Sequence, residues 1–93
     1  MSPPTLVRFR LYVAGQSPNS VLALRNLRAL CEQHLGARHE IEVIDVLRNA
    51  GAALDDRILV TPTLLKLSPA PTCRIIGNLS QADVVLATLG LAK

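Results

Sequence analysis

Two cysteines, two histidines and one adjacent carboxylate pair are the residue types here that redox, metal or acid–base chemistry would draw on. Cys31 and Cys73 lie far apart and fit neither a zinc pattern nor a redox pair. His34 and His39 have no supporting Cys or Asp cluster, so each reads as a solvated histidine. Asp55 and Asp56 are neighbours; on a helix they point about 100° apart rather than across a cleft, and a solvated helix face is the simpler reading. Gly15 is not part of a Gly-x-Gly-x-x-Gly or Gly-Lys-Ser/Thr motif. No Ser-His-Asp set can be argued from these residues. The expectation is a protein without a catalytic set, metal site or cofactor site, whose function lies in binding.

The elements that would carry a binding surface follow from periodicity. Thr5 to Val13 alternates Val7, Phe9, Leu11 and Val13 with Arg8, Arg10 and Tyr12, a strand with one face to a core. Its arginine face has two readings: guanidinium stems snorkelling beside a helix, which is the simpler, or a face that meets an acidic surface such as another subunit. Ser17 is a good N-cap and Pro18 suits the first helical position. The helix runs to about Leu35 with Val21, Leu24, Leu27, Cys31 and Leu35 as its apolar stripe, and Gly36 ends it. Cys31 on that stripe reads as a small buried hydrophobe with nothing local to lower its pKa. Glu40 to Leu47 is a second strand, which the intervening helix makes parallel to the first.

From Arg48 to Pro71 the local signals weaken. Residues 49–57 allow a short helix, at a cost of about 1 kcal/mol for Gly51 relative to alanine. Thr63 to Leu67 and Thr72 to Ile76 read as strands around the turn Ser68-Pro69-Ala70-Pro71. Ser80 and Asp83 resemble a capping box, followed by a short helix bearing Ala82, Val85, Leu86 and Leu89 that Gly90 stops. The sum is β-α-β-α-β-β-α.

Ninety-three residues support one domain, taken as 1–93, with residues 1–4 a frayed terminus. Hydrophobic residues make up 49%, yet Phe9 and Tyr12 are the only aromatics, so the core is aliphatic and base-stacking nucleic-acid recognition is not expected. Charged residues are only 18%, low enough to imply apolar surface covered by a partner or another copy. The net charge of +3 is mild and suits an acidic protein partner. The absence of a long apolar run or a signal-peptide pattern gives a cytoplasmic expectation and none of membrane attachment.

Ile58-Leu59-Val60-Thr61-Pro62-Thr63-Leu64 places a proline where a strand begins. This resembles the thioredoxin-like fold, whose proline at that place is usually cis. Thioredoxins carry Cys-x-x-Cys after the first strand, where this chain has Ala14-Gly15-Gln16-Ser17-Pro18-Asn19-Ser20. Five segments narrow the resemblance further: Leu11-Tyr12-Val13-Ala14-Gly15, Ser17-Pro18-Asn19-Ser20-Val21, Val43-Ile44-Asp45-Val46-Leu47, Asp56-Arg57-Ile58-Leu59-Val60-Thr61-Pro62-Thr63-Leu64 and Arg74-Ile75-Ile76-Gly77-Asn78-Leu79-Ser80. In this order, over Leu6 to Leu89, the chain closely resembles the KaiB family of circadian-clock proteins.

The resemblance implies a non-enzymatic adaptor that binds the ring of a KaiC-type ATPase and modulates its phosphorylation cycle. It also implies two folds: a thioredoxin-like monomer competent to bind, and a resting homotetramer, the usual isolated form, in the order β-α-β-β-α-α-β. A switch of this kind needs two packings within a few kcal/mol of each other. Its hinge is expected among Gly51, Pro62, Pro69, Pro71, Gly77 and Asn78. The KaiC-facing surface maps onto Arg48, Asn49, Asp55, Asp56 and Arg57, and the KaiA-facing edge onto Glu40 to Val43. Cyanobacterial members carry arginine at Leu22 and Cys73, aspartate at Asn78 and an acidic tail beyond Lys93. These departures weaken the expectation for KaiA first and for KaiC second, and they point to a paralogue serving circadian timing or stress signalling. The alternatives are a thioredoxin- or glutaredoxin-like redox protein, disfavoured by the missing cysteine pair, and a sensor domain like that of the kinase SasA.

Overall fold

The computed structural model describes residues 5–91; the terminus at 1–4 lies outside them. The elements are β1 (Val7–Val13), α1 (Pro18–His34), β2 (His39–Asp45), α2 (Ala50–Asp55), β3 (Thr63–Ser68), β4 (Cys73–Ile76) and α3 (Ala82–Leu89). This is the β-α-β-α-β-β-α order, not β-α-β-β-α-α-β. The sheet order is β2-β1-β3-β4, with β1 and β2 parallel and β3 antiparallel to both β1 and β4. It is a mixed α/β, thioredoxin-like arrangement.

β1 is the central strand because both of its faces find cover. Val7, Phe9, Leu11 and Val13 pack under α1 and α3, against Ala23, Leu27, Leu30, Cys31, Leu64, Val85 and Leu89. On the opposite face Tyr12 is fully buried with Ala53 and Leu65 beneath α2. The arginines of that face pair along the sheet, and Arg10 also reaches Asp56 at the end of the second helix. The parallel register sets Arg8 beside Glu40 and Arg10 beside Glu42, and both pairs close as ion pairs, at 3.0 and 2.7 Å.

α1 starts at Pro18 as expected, but the Ser17 hydroxyl does not cap it. It donates to Ser20 Oγ at 2.8 Å, and Ser20 Oγ accepts the Ala14 amide at 3.1 Å. The expected stripe of the helix holds at Leu27, Cys31 and Leu35 but shifts in the first turns. Ser20, Ala23, Leu27, Leu30 and Cys31 face the sheet, while Val21 is exposed and Leu24 half-buried. Small Ser20 and Ala23 let the helix approach the strands closely, and the larger Val21 and Leu24 move to its shoulder. Gly36, at φ +57°, ends it as expected.

β2 stops at Asp45 rather than Leu47. The Asp45 carboxylate accepts the amides of Leu47 and Gly15, both at 3.0 Å, and turns the chain out of the sheet. Thr61–Pro62 is cis, as are Ser68–Pro69 and Ala70–Pro71, and β3 begins directly after Pro62. The expected capping box at α3 does not form. Gln81 occupies the N-cap, and the Ser80 amide is taken by Asn78 Oδ1 at 3.1 Å. Lys66 is buried on the core face, its ammonium donating to the Leu89 carbonyl at 3.0 Å, which pins the end of α3.

Candidate partner-docking surface

α2 has six residues, too few to be stable alone. Contacts with its neighbours hold it. At its start, Asn49 Oδ1 accepts the Ala52 amide at 3.1 Å, so Asn49 is the N-cap. Ala52 and Ala53 press against Tyr12, Ile44 and Leu65. At its end, Arg57 takes the left-handed conformation, φ 56°, and the Ile58 amide bonds back to the Ala53 carbonyl at 2.9 Å.

Asp56 turns inward. Its Oδ2 accepts from Arg10 Nη1 at 2.9 Å and from the Tyr12 hydroxyl, which also lies 3.0 Å from the Ala52 carbonyl. The Tyr12 hydrogen bond and the Arg10 guanidinium hold the Asp56 carboxyl below the usual aspartate range. Burial first, and then the bond to Asp56, push the Tyr12 phenol up to about 12. Arg74 completes the arrangement: Nη2 donates to the Asp56 carbonyl at 2.6 Å and Nη1 to the Arg57 carbonyl at 2.9 Å.

The five charged or polar residues expected to meet a partner therefore separate. Arg48, Asn49, Asp55 and Arg57 are exposed around α2, whereas Asp56 faces the protein. Reading Asp56 as part of a solvated helix face is corrected by these bonds. The residues the sequence reading passed over are apolar: Leu47 is 74% exposed, Leu54 77%, Leu59 92% and Val60 48%, all beside or on α2. Their signal was visible as leucines in a segment with neither a period of two nor of 3.6. The hinge candidates are not brought together. Gly51 is in α2, Pro62 is buried at the start of β3, Pro69 and Pro71 lie in the β3–β4 turn, and Gly77 and Asn78 in the loop before α3. Asn78 accepts from Asn26 Nδ2 through its carbonyl at 2.8 Å, which ties that loop to α1.

β2 is an edge strand, and Val43 on it is exposed. A groove beside it is lined by Val21, Leu24, Val43 and the guanidinium-bearing Arg25, Arg28 and Arg48. Both thiols are free, and burial pushes Cys31 up to about 11. Among the described residues no three His, Cys, Asp or Glu side chains group to hold a metal, and no helix is long and apolar enough to cross a membrane. His39 Nδ1 lies 2.7 Å from the Gly36 carbonyl, a bond that requires the proton on Nδ1.

The fold is shared with solved structures of low identity. Chloroplastic thioredoxin z superposes with a TM-score of 0.76 at 24% identity, over 92% of this chain and 78% of that one. The N-terminal domain of SasA from Synechococcus elongatus gives 0.75 at 18% identity, over 100% and 91%. Sequence relatives are much nearer. The circadian clock oscillator protein KaiB of Synechococcus elongatus is 47% identical over 91 residues, covering 98% of this chain and 89% of its own length. That of Gloeothece citriformis is 49% identical over 82 residues, covering 88% and 77%. The family model for the KaiB domain matches residues 10–91. A near-complete family match and close to half identity across that span establish that the chain belongs to the KaiB family.

Proposed function

We propose that this protein is a non-enzymatic clock or signalling adaptor that docks on a KaiC-type ATPase ring and modulates its phosphorylation cycle. The observation that carries this reading is the exposed apolar set Leu47, Leu54, Leu59 and Val60 around α2, rimmed by Arg48, Asp55 and Arg57, in a member of the KaiB family. Apolar anchors supply the affinity of such a face, while rim charges mainly steer encounter and select partners. Asn49 shapes the face by capping α2. The thioredoxin-like arrangement is the docking-competent form, a cytoplasmic monomer. A resting homotetramer with a refolded second half is the companion state, with its hinge among Gly51, Pro62, Pro69, Pro71, Gly77 and Asn78.

The test is association with recombinant KaiC from Synechococcus elongatus in the presence of nucleotide, followed by size-exclusion chromatography. We expect a complex that is lost in Leu54→Asp and Leu59→Asp variants with unchanged circular dichroism. A wild-type chain that never co-elutes with the ATPase overturns the reading. Insulin-reduction assays should give no turnover; clear turnover would return the protein to the redox class.

A further inference from the structure

We infer that Asp56 is a positioning residue: a clasp joining its carboxylate and carbonyl to Tyr12, Arg10 and Arg74 holds α2 in the orientation that presents the docking face. This inference deepens the docking role proposed above and rests on it.

The geometry carries the argument. Asp56 stands two residues after Leu54 and three before Leu59, so its placement sets the direction of both exposed leucines. The apolar hold on α2 is small, being Ala53 and half-buried Ala52 and Ile58 against Tyr12, Leu65, Ile44 and Val46. A six-residue helix with so little buried side chain depends on its polar attachments. Those attachments converge from three strands. Arg10 and Tyr12 of β1 reach the carboxylate, Glu42 of β2 steadies Arg10 from its far side, and Arg74 of β4 grips the last carbonyls of the helix turn. Both partners of the Arg10–Asp56 pair are only partly exposed, at 29% and 26%, so water screens it less than an open surface pair. Asp83, in the first turn of α3, is exposed and makes none of these bonds, which provides a control away from the docking face.

Asp56→Ala and Tyr12→Phe test the clasp from its two sides. With Asp56→Ala, amide hydrogen exchange at Ala53, Asp56, Arg57 and Ile58 should accelerate about tenfold or more, as expected when a charge-assisted bond to a marginal segment is removed. The amides of Leu27 and Leu30 in α1 should not change. Tyr12 is the only tyrosine and the chain has no tryptophan, so its emission reports this site alone. A carboxylate acceptor quenches phenol fluorescence, and that emission should rise in Asp56→Ala. Association with the KaiC probe should weaken several-fold in Asp56→Ala and in Tyr12→Phe, and remain as wild type in Asp83→Ala. Unchanged exchange in α2 overturns the clasp. Accelerated exchange with undiminished association overturns its positioning role. If wild-type protein fails to bind the probe at all, the docking reading falls, and with it the positioning role, while the exchange and emission arms still decide whether the clasp exists.

Discussion

Tyr12 shares a strand face with Arg8 and Arg10, yet it is fully buried while they keep contact with water. Its hydroxyl needs a partner there, and Asp56 supplies one. The two groups shift in opposite directions, and each carries a pH signature. Asp56 is held below its ordinary value, chiefly by the Tyr12 hydrogen bond, so the folded state favours its ionised form. That contribution is fully present above the unfolded value, about 3.9, and is lost as pH falls through the lower folded value. Tyr12 is raised from 10.0 to about 12, so the folded state favours the neutral phenol. Its contribution is fully present below 10.0 and lost as pH rises to about 12. An ultraviolet absorbance titration of the native protein should therefore show phenolate forming near 12 rather than near 10. In Asp56→Ala the midpoint should move down, but not fully, because burial is the larger cause. Alkylation provides a second check at this scale: Cys73, half-buried on an edge strand, should react well before buried Cys31, whose thiol titrates at about 11.

The elements differ in how far local sequence specifies them. The alternation in β1 and the Pro18 and Gly36 limits of α1 are local signals, and the structure keeps them. The stripe of α1 holds at Leu27, Cys31 and Leu35 but shifts in the first turns, because small Ser20 and Ala23 do not register as core residues in a hydrophobic pattern, although close packing prefers them there. The end of β2 was misplaced because a side-chain bond from Asp45, not a change of period, turns the chain. α2 and the docking face were least readable, since bonds from strands far away in sequence hold that helix. Two substitutions test its local conflicts. Gly51 has a right-handed backbone, and an added Cβ would meet nothing closer than Asn49 Oδ1 at 3.9 Å. Gly51→Ala should then raise stability by about 1 kcal/mol in denaturant unfolding. Arg57 has the opposite defect, a side chain at φ 56°. Arg57→Gly should also stabilise, by about 1 kcal/mol. It should at the same time slow association with the ATPase, because it removes a rim charge.

Across the whole molecule, the second half is fastened to the first by the β1–β3 ladder, by Leu64, Leu79, Val85 and Leu89 in the shared core, and by a few polar ties. The Asp56 clasp joins α2 to β1 and β4, Asn78 joins the loop before α3 to Asn26, and Lys66 joins β3 to the end of α3. The parallel β1–β2 ladder and α1 form a unit continuous in sequence, whose core side chains also meet Leu64, Val85 and Leu89 of the second half. The proposed refolding of the second half requires that it open separately, in a step of lower free energy than global unfolding. Native-state hydrogen exchange should give one protection level for β1, α1 and β2, and a lower, shared level for β3, β4 and α3. Under the proposed resting tetramer and docking role, dilution monitored by light scattering should shift the molecule towards monomer and raise association with KaiC in parallel. Lys66→Met keeps the volume of the buried side chain but removes the tie to Leu89. It should lower the protection of α3 while leaving α1 as it was. Equal protection across both halves, unaltered by Lys66→Met, would show one cooperative body and leave no separable second half to refold.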